Sequence, residues 1–409
     1  MKVDFFIAKR LMIAGKNTFS RFIANIAIIA ITLSVSVMIV STAIINGFTF
    51  EIQEKIFGFW GQITVFHSGD GNASEEIPVD KSLPIFSEIK KMPELESINP
   101  YATKPVILKT RDEMEGMMLK GVDENYNWNF LKKHLVVGNI PKIEDGAISR
   151  EILISSTTAN RLKLKVEQAV LVYFMKKGSN LPIGKKFTVS GIYNTGLDEY
   201  DQKFIIADIG LVQKVNKWEQ NQVGGFELKL KDFNKMDIIE DKIYRTMLDQ
   251  TLSSSTIKSQ LPNIFEWLDL QKMNEFIILI LMIIVATLNM VTALLILILD
   301  RTKMVGILKA VGAKTRTIQS IFLYKAAYII LNGLFWGNLI GLTICFLQKK
   351  YSIITLPEKE YYLNVAPIKI ELLPILGINI GTFTICLLVL LIPSLFVSKI
   401  NPVKTIRFN

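Results

Sequence analysis

The chain has 409 residues, of which 50% are hydrophobic, and a formal net charge of +10. A soluble chain of this length seldom carries so much apolar material, and here it is gathered into long runs with Lys and Arg at their flanks. No basic stripe interleaved with aromatics occurs in a polar segment, which excludes nucleic acid as the expected partner.

Taken in chain order, residues 1–21 mix Phe5, Phe6, Ile7, Leu11, Met12 and Ile13 with Lys2, Lys9, Arg10 and Lys16. This pattern suits a cytoplasmic interfacial helix, or a plain basic flank before the first span. Four apolar runs follow, at 22–47, 273–299, 318–346 and 372–398. Each exceeds the roughly 20 residues that cross a hydrocarbon core of about 30 Å, and helices satisfy their own backbone in lipid. Glu275 and Lys325 are the charges inside them. The first run is longer than the roughly 7–15 apolar residues of a secretory leader, so an uncleaved span is expected. Lys and Arg crowd the N-terminal segment, the 300–317 loop and the 399–409 tail. The positive-inside rule places these in the cytoplasm, with both termini inside, and the 48–272 insert and the 347–371 loop outside.

The insert has a different texture, and the fold class expected is an α+β membrane protein. Its four transmembrane helices carry a large mixed α+β extracytoplasmic domain between helices 1 and 2. Within it, Gln62–Phe66 reads as a strand, and 105–122 as a hairpin turning at Thr110-Arg111-Asp112-Glu113. Ala147-Ile148-Ser149 reads as a strand before a helix over 152–164. Val170–Phe174 and Phe187–Ile192 read as paired strands, Phe226–Leu230 as a half-buried strand, and 234–248 as a helix. Trp267, Met273 and Phe276 mark re-entry into the interface.

Residues suited to catalysis are scarce. The run Gly306–Thr315 looks superficially like a phosphate loop, but five residues separate its glycines and Ala313 intervenes before Lys314. His67 and His134 are far apart with no nearby Cys, and no metal-spaced or nucleophile motif is present. Cys345 and Cys386 lie in apolar runs, where they pack as small apolar residues. The carboxylates of the insert, mixed with Lys, read as a solvated surface. No cofactor or metal is therefore expected in this chain, and no enzymatic activity of its own.

The 300–317 loop is the most telling segment. As a helix it sets Met304, Ile307, Leu308 and Val311 on one apolar stripe, with Lys303 and Lys309 off it and Gly312 as its stop. Such a stripe docks into a groove on a soluble partner or lies in the headgroup region. In the third run, Gly333, Gly337 and Gly341 form a small-residue row that admits another helix closely, or faces lipid. Pro393 is expected to kink or stop the fourth span.

Several segments together resemble ABC permeases of the FtsX/MacB type, most of all the lipoprotein-releasing permeases LolC and LolE. They are Phe6-Ile7-Ala8-Lys9-Arg10, Ile45-Asn46-Gly47-Phe48, Gly306–Ala313, Tyr361-Tyr362-Leu363 with Pro367, Ile392-Pro393-Ser394 and Ile400-Asn401-Pro402. The resemblance implies a MacB-like periplasmic domain and an inner-membrane location. It also implies two copies of a separate ATPase that bind ATP and Mg, and a second permease, identical or related. The cargo would be a lipoprotein, drawn from the outer leaflet of the inner membrane and released to a periplasmic carrier. Residues 302–313 would be the coupling helix, with Lys303, Met304, Ile307, Leu308, Lys309, Val311 and Gly312 meeting the ATPase. Val40, Ile44, Asn46, Gly47 and Phe48, with Met273, Phe276, Ile277 and Ile280, would line the lipid cavity or pack as ordinary helix residues. The hairpin 174–186, with Phe174, Gly178, Leu181 and Pro182, would be the carrier hook or a plain solvent hairpin. Lys303-Met304 stands where many relatives have Arg-Glu, so an ion pair between that acidic position and the ATPase is not expected here, while the apolar stripe is kept. Two other readings are a mechanotransmitter for efflux or for a cell-wall hydrolase, and a membrane receptor or scaffold with no ATPase.

Overall fold

The computed structural model describes residues 18–70, 76–175 and 182–395. The chain divides into two compact units, one of residues 51–266 and 356–364, the other of 1–50, 267–355 and 365–409. Most of the expected interfacial helix 1–21 and the whole 399–409 tail lie outside the described residues.

The first unit is built on strands β1 (Ile63–His67), β2 (Val79–Asp80), β3 (Leu95–Lys109), β4 (Met114–Val122), β5 (Leu135–Gly138) and β6 (Glu151–Ser155). It continues with β7 (Ala169–Phe174), β8 (Ile183–Tyr193), β9 (Phe204–Asp208), β10 (Gln222–Val223), β11 (Gly225–Leu230) and β12 (Leu252–Thr256). Ten of them form one sheet in the order β12-β1-β11-β3-β4-β9-β6-β8-β5, with β7 bridging β3 and β8. That bridge closes β3, β4, β9, β6, β8 and β7 into a ring, so most of these strands are shielded from edge-to-edge pairing. β2 and β10 pair separately.

The hairpin expected over 105–122 is present, with β3 against β4 and a turn closed by Thr110 N–H donating to Glu113 O at 2.9 Å. β7 and β8 pair antiparallel, as their residues suggest. Ala147-Ile148-Ser149 is not a strand; the strand is Glu151–Ser155, and the helix starts later, at Ser156–Leu162. Ile152, Leu153 and Ile154 are buried on both faces, so the run shows no period-2 alternation. Ser155 ends it as a helix N-cap, its side chain accepting from Thr158 N–H at 3.0 Å. β11 also departs from half-burial: every residue except Lys229 is buried.

The second unit is helical. α1 (Thr18–Phe59), α2 (Pro262–Asp300), α3 (Thr302–Ala310), α4 (Thr315–Tyr351) and α5 (Leu372–Val389) are its main elements, and α1 and α2 continue beyond it. Among the described residues, four helices are long and apolar enough to cross a membrane. The helices outrun the apolar runs: α4 extends to Tyr351, and α2 begins at Pro262, where Pro at the first turn costs no hydrogen bond.

The glycine row on α4 packs against α1. A Cβ on Gly333 would come within 2.6 Å of Ile31 Cγ2, and one on Gly337 within 2.7 Å of Val35 Cβ. One on Gly341 would lie 3.2 Å from Ile39 Cβ. The residue numbers rise together, so the two helices run in the same direction. Close approach lets Ser36 Oγ donate to Gly337 O at 3.0 Å and Thr32 Oγ1 to Gly333 O at 3.3 Å. α4 and α5 are tied by a reciprocal amide pair, Asn338 Nδ2 to Asn379 Oδ1 at 2.6 Å and Asn379 Nδ2 to Asn338 Oδ1 at 2.9 Å. α5 stops at Val389, four residues before Pro393, whose ring excludes the carbonyl at that position; a short helix Leu391–Ser394 follows. Cys345 and Cys386 are buried and unbridged.

Candidate functional site

The segment expected to couple to an ATPase is helical, as α3. Its end is a Schellman turn: Ala313 N–H donates to Leu308 O at 2.9 Å and Gly312 N–H to Lys309 O at 3.0 Å. Gly312 sits at φ +90° with open space around its α-carbon, so backbone conformation and not packing calls for glycine there. The apolar stripe divides. Met304 and Leu308 pack on the helical core beside buried Val305, whereas Ile307 and Val311 are 57% and 83% exposed. The outward face is therefore Lys303, Ile307, Ala310 and Val311. The sequence stripe placed Met304 and Leu308 on that face, because periodicity alone gives no rotation about the helix axis.

The nine cavity residues fall into two environments. Met273, Phe276, Ile277 and Ile280 are exposed along α2. On α1, Val40, Ile44, Asn46 and Phe48 are half-buried and Gly47 is buried. A Cβ on Gly47 would strike Pro367 O, so this glycine makes room for the backbone of the segment before α5. Lys369 N–H extends the contact by donating to Ala43 O at 3.0 Å. α1 and α2 meet where the Phe48 and Trp267 rings stand edge-to-face, 6.2 Å apart.

Of the hook residues, Gly178 and Leu181 lie outside the described residues, and Pro182 is exposed. Phe174 is fully buried against Phe187, with ring centroids 6.1 Å apart. Its side chain holds the base of the β7–β8 hairpin and is not presented to solvent. Beside that base, Arg150, Lys185, Lys186 and Lys214 line a cleft of about 440 Å³. Partial burial, then the Lys214 and Arg150 charges, pull the Lys185 ammonium below its usual range.

Sequence reasoning missed the buried charges of the sheet unit, having read its carboxylates as solvated. Lys120 on β4 is fully buried, 2.6 Å from Glu227 on β11, and donates to Phe59 O at 2.5 Å. Its ammonium also lies 3.9 Å from the Trp60 ring centre. Burial pulls Lys120 down and pushes Glu227 up, while each charge draws the other back towards ionisation. The signal was weak: Lys120 follows Met118-Leu119 and Glu227 stands between Phe226 and Leu228, but β4 also carries Glu115 and β11 Lys229, so charge alone did not mark the buried pair. Glu76 is another: burial pushes it up to about 7 although Thr103 donates to it twice.

Residues 25–245 match the family model described as MacB-like periplasmic core domain, and residues 276–402 that described as FtsX-like permease C-terminal. The chain is 24% identical to the lipoprotein-releasing system transmembrane protein LolC of Xylella fastidiosa, over 96% of each chain. Against LolC of Neisseria meningitidis serogroup B it is 23% identical, again over 96% of each. Against LolE of Haemophilus influenzae it is 22% identical over 99% of each. With the core-domain model spanning more than half of its length and the permease model following it, the chain belongs to the family of FtsX-like permeases that carry a MacB-like periplasmic core domain.

Proposed function

We propose that this protein is the non-catalytic permease subunit of an ATP-driven transporter that extracts lipoproteins from the outer leaflet of the bacterial inner membrane. It would pass them to a periplasmic carrier. The observation that carries the reading is the near end-to-end match to lipoprotein-releasing permeases, with both family models in the same chain. Four crossings, with the sheet unit outside and both termini inside, agree with the parallel α1 and α4 and with the basic flanks of α3.

Two copies of a separate ATPase would supply ATP and Mg, and a second permease, identical or related, would complete the membrane part. The ATPase would dock on α3 through Ile307 and Val311, flanked by Lys303. Acyl chains would enter beside α2, where Met273, Phe276, Ile277 and Ile280 offer an apolar face in contact with lipid. Lifting several chains into water at about 0.8 kcal/mol per methylene costs tens of kcal/mol. Both ATP and an apolar acceptor are therefore required. The β7–β8 hairpin, with the cationic cleft at its base, is the candidate seat for that acceptor.

The test is reconstitution in liposomes with the ATPase and a triacylated lipoprotein. ATP-dependent transfer of that lipoprotein to a soluble carrier is expected. Transfer that is equal without ATP or without this chain would overturn the proposal.

A further inference from the structure

The sheet unit holds a second cleft, of about 610 Å³, where the turn after β4 meets the 143–148 loop and the helix Ile209–Asn216. Its wall carries Asp123, Glu124, Glu144, Asp145 and Asp208 against two cations, Lys81 and Lys214. Asp208 is structurally committed: its two carboxylate oxygens accept from Ser149 N–H and Gly210 N–H, both at 2.7 Å. Asp123 is not. It is only 6% exposed, yet its Oδ1 has no hydrogen-bond donor. A buried carboxylate oxygen left without a donor carries a large desolvation penalty, which a donor brought from outside would relieve. Burial, and then the neighbouring Glu124 charge, push Asp123 up to about 6, against the pull of the Lys81 charge and of the Asn125 backbone N–H, neither of which satisfies Oδ1. Trp218 lines the same cleft and supplies an aromatic face.

We propose that this cleft binds an arginine side chain of a partner protein, its guanidinium set between Asp123 and Trp218 with Glu144 and Asp145 at the rim. The charge balance selects a cation. The donor-poor carboxylate and the indole together suit a planar, multi-donor cation that stacks on rings. A point cation fits less well: among the described residues no group of three or more His, Cys, Asp or Glu is placed to hold a metal ion. The inference rests on the sheet unit alone and stands whether or not the transport reading does.

The full chain in detergent is titrated with N-acetyl-L-arginine amide and, as controls, N-acetyl-L-norleucine amide and calcium chloride, while its thermal midpoint is followed. A saturable rise with the arginine compound and none with either control is expected. Asp123→Asn should raise the midpoint of the unliganded chain, because it removes a buried unpaired charge. It should also weaken the apparent affinity for the arginine compound about tenfold. Trp218→Leu and Asp145→Asn, which leave the buried position intact, should weaken it too. Wild-type affinity in all three variants, equal stabilisation by the norleucine compound, or a calcium response lost in Asp123→Asn would overturn the proposal.

Discussion

Asp201 carries a pH dependence of its own. Burial pushes its carboxyl from 3.8 up to about 6, against donations from Thr195 and Gly196 and the pull of Lys55. Between those values the folded chain holds a proton that the unfolded chain has lost. Its contribution to stability is thus full below about pH 4 and is lost as the pH rises through 6. Thermal midpoints measured from pH 4 to 6.5 should fall in the wild type. The fall should be shallower in Asp201→Asn, by the equivalent of about 1–3 kcal/mol. Asp123, also raised to about 6, keeps part of the slope in that variant. An unchanged slope would remove Asp201 from the account. Such groups were poorly legible in the sequence. Asp201 stands in Asp198-Glu199-Tyr200-Asp201, which reads as a solvated turn, and only the fold brings Thr195 and Gly196 around it. Lys120 and Glu227 are harder still, because each is a single charge whose partner is supplied by a strand more than a hundred residues away.

At the level of elements, periodicity located α3 and composition located its stop, but neither fixed which side of the helix faces out. Leu308, central to the stripe, packs on the helical core, so an acidic residue there would disturb the helix itself. Ile307 and Val311 are the better probes. Ile307→Asp and Val311→Asp should each leave the chain in the membrane at normal yield while reducing co-purification of the ATPase by roughly tenfold, the loss of one buried apolar anchor. Wild-type recovery of the ATPase with both substitutions together would remove this face from the docking surface. Where alternation or turn chemistry was clean, as in β3–β4 and β7–β8, the elements could be read directly. Where burial on both faces erases alternation, as in β6, the strand reads as a helix start. Pro393 announced a break, and its position four residues earlier follows from ring geometry.

For the whole molecule, the sidedness drawn from charge is open to a direct check. Asp112 lies in the β3–β4 turn and Lys314 follows α3, both at exposed positions, and the native cysteines are buried. In cells with a permeabilised outer membrane, a membrane-impermeant thiol reagent should modify Asp112→Cys and spare Lys314→Cys until the inner membrane is opened. Equal modification of both would place them in one compartment and dismantle the proposed topology. The runs long enough to span, and the α+β character of the insert, were legible because lipid and a sheet core impose different hydrophobic periods. What the glycine row meets was not legible, since a small-residue stripe does not name its neighbour. Gly333, Gly337 and Gly341 engage Ile31, Val35 and Ile39 like teeth in a rack, one helical turn apart. Two rods so engaged can slip past each other only by a whole tooth, four residues or about 6 Å, and any smaller thrust on α4 must carry α1 along with it.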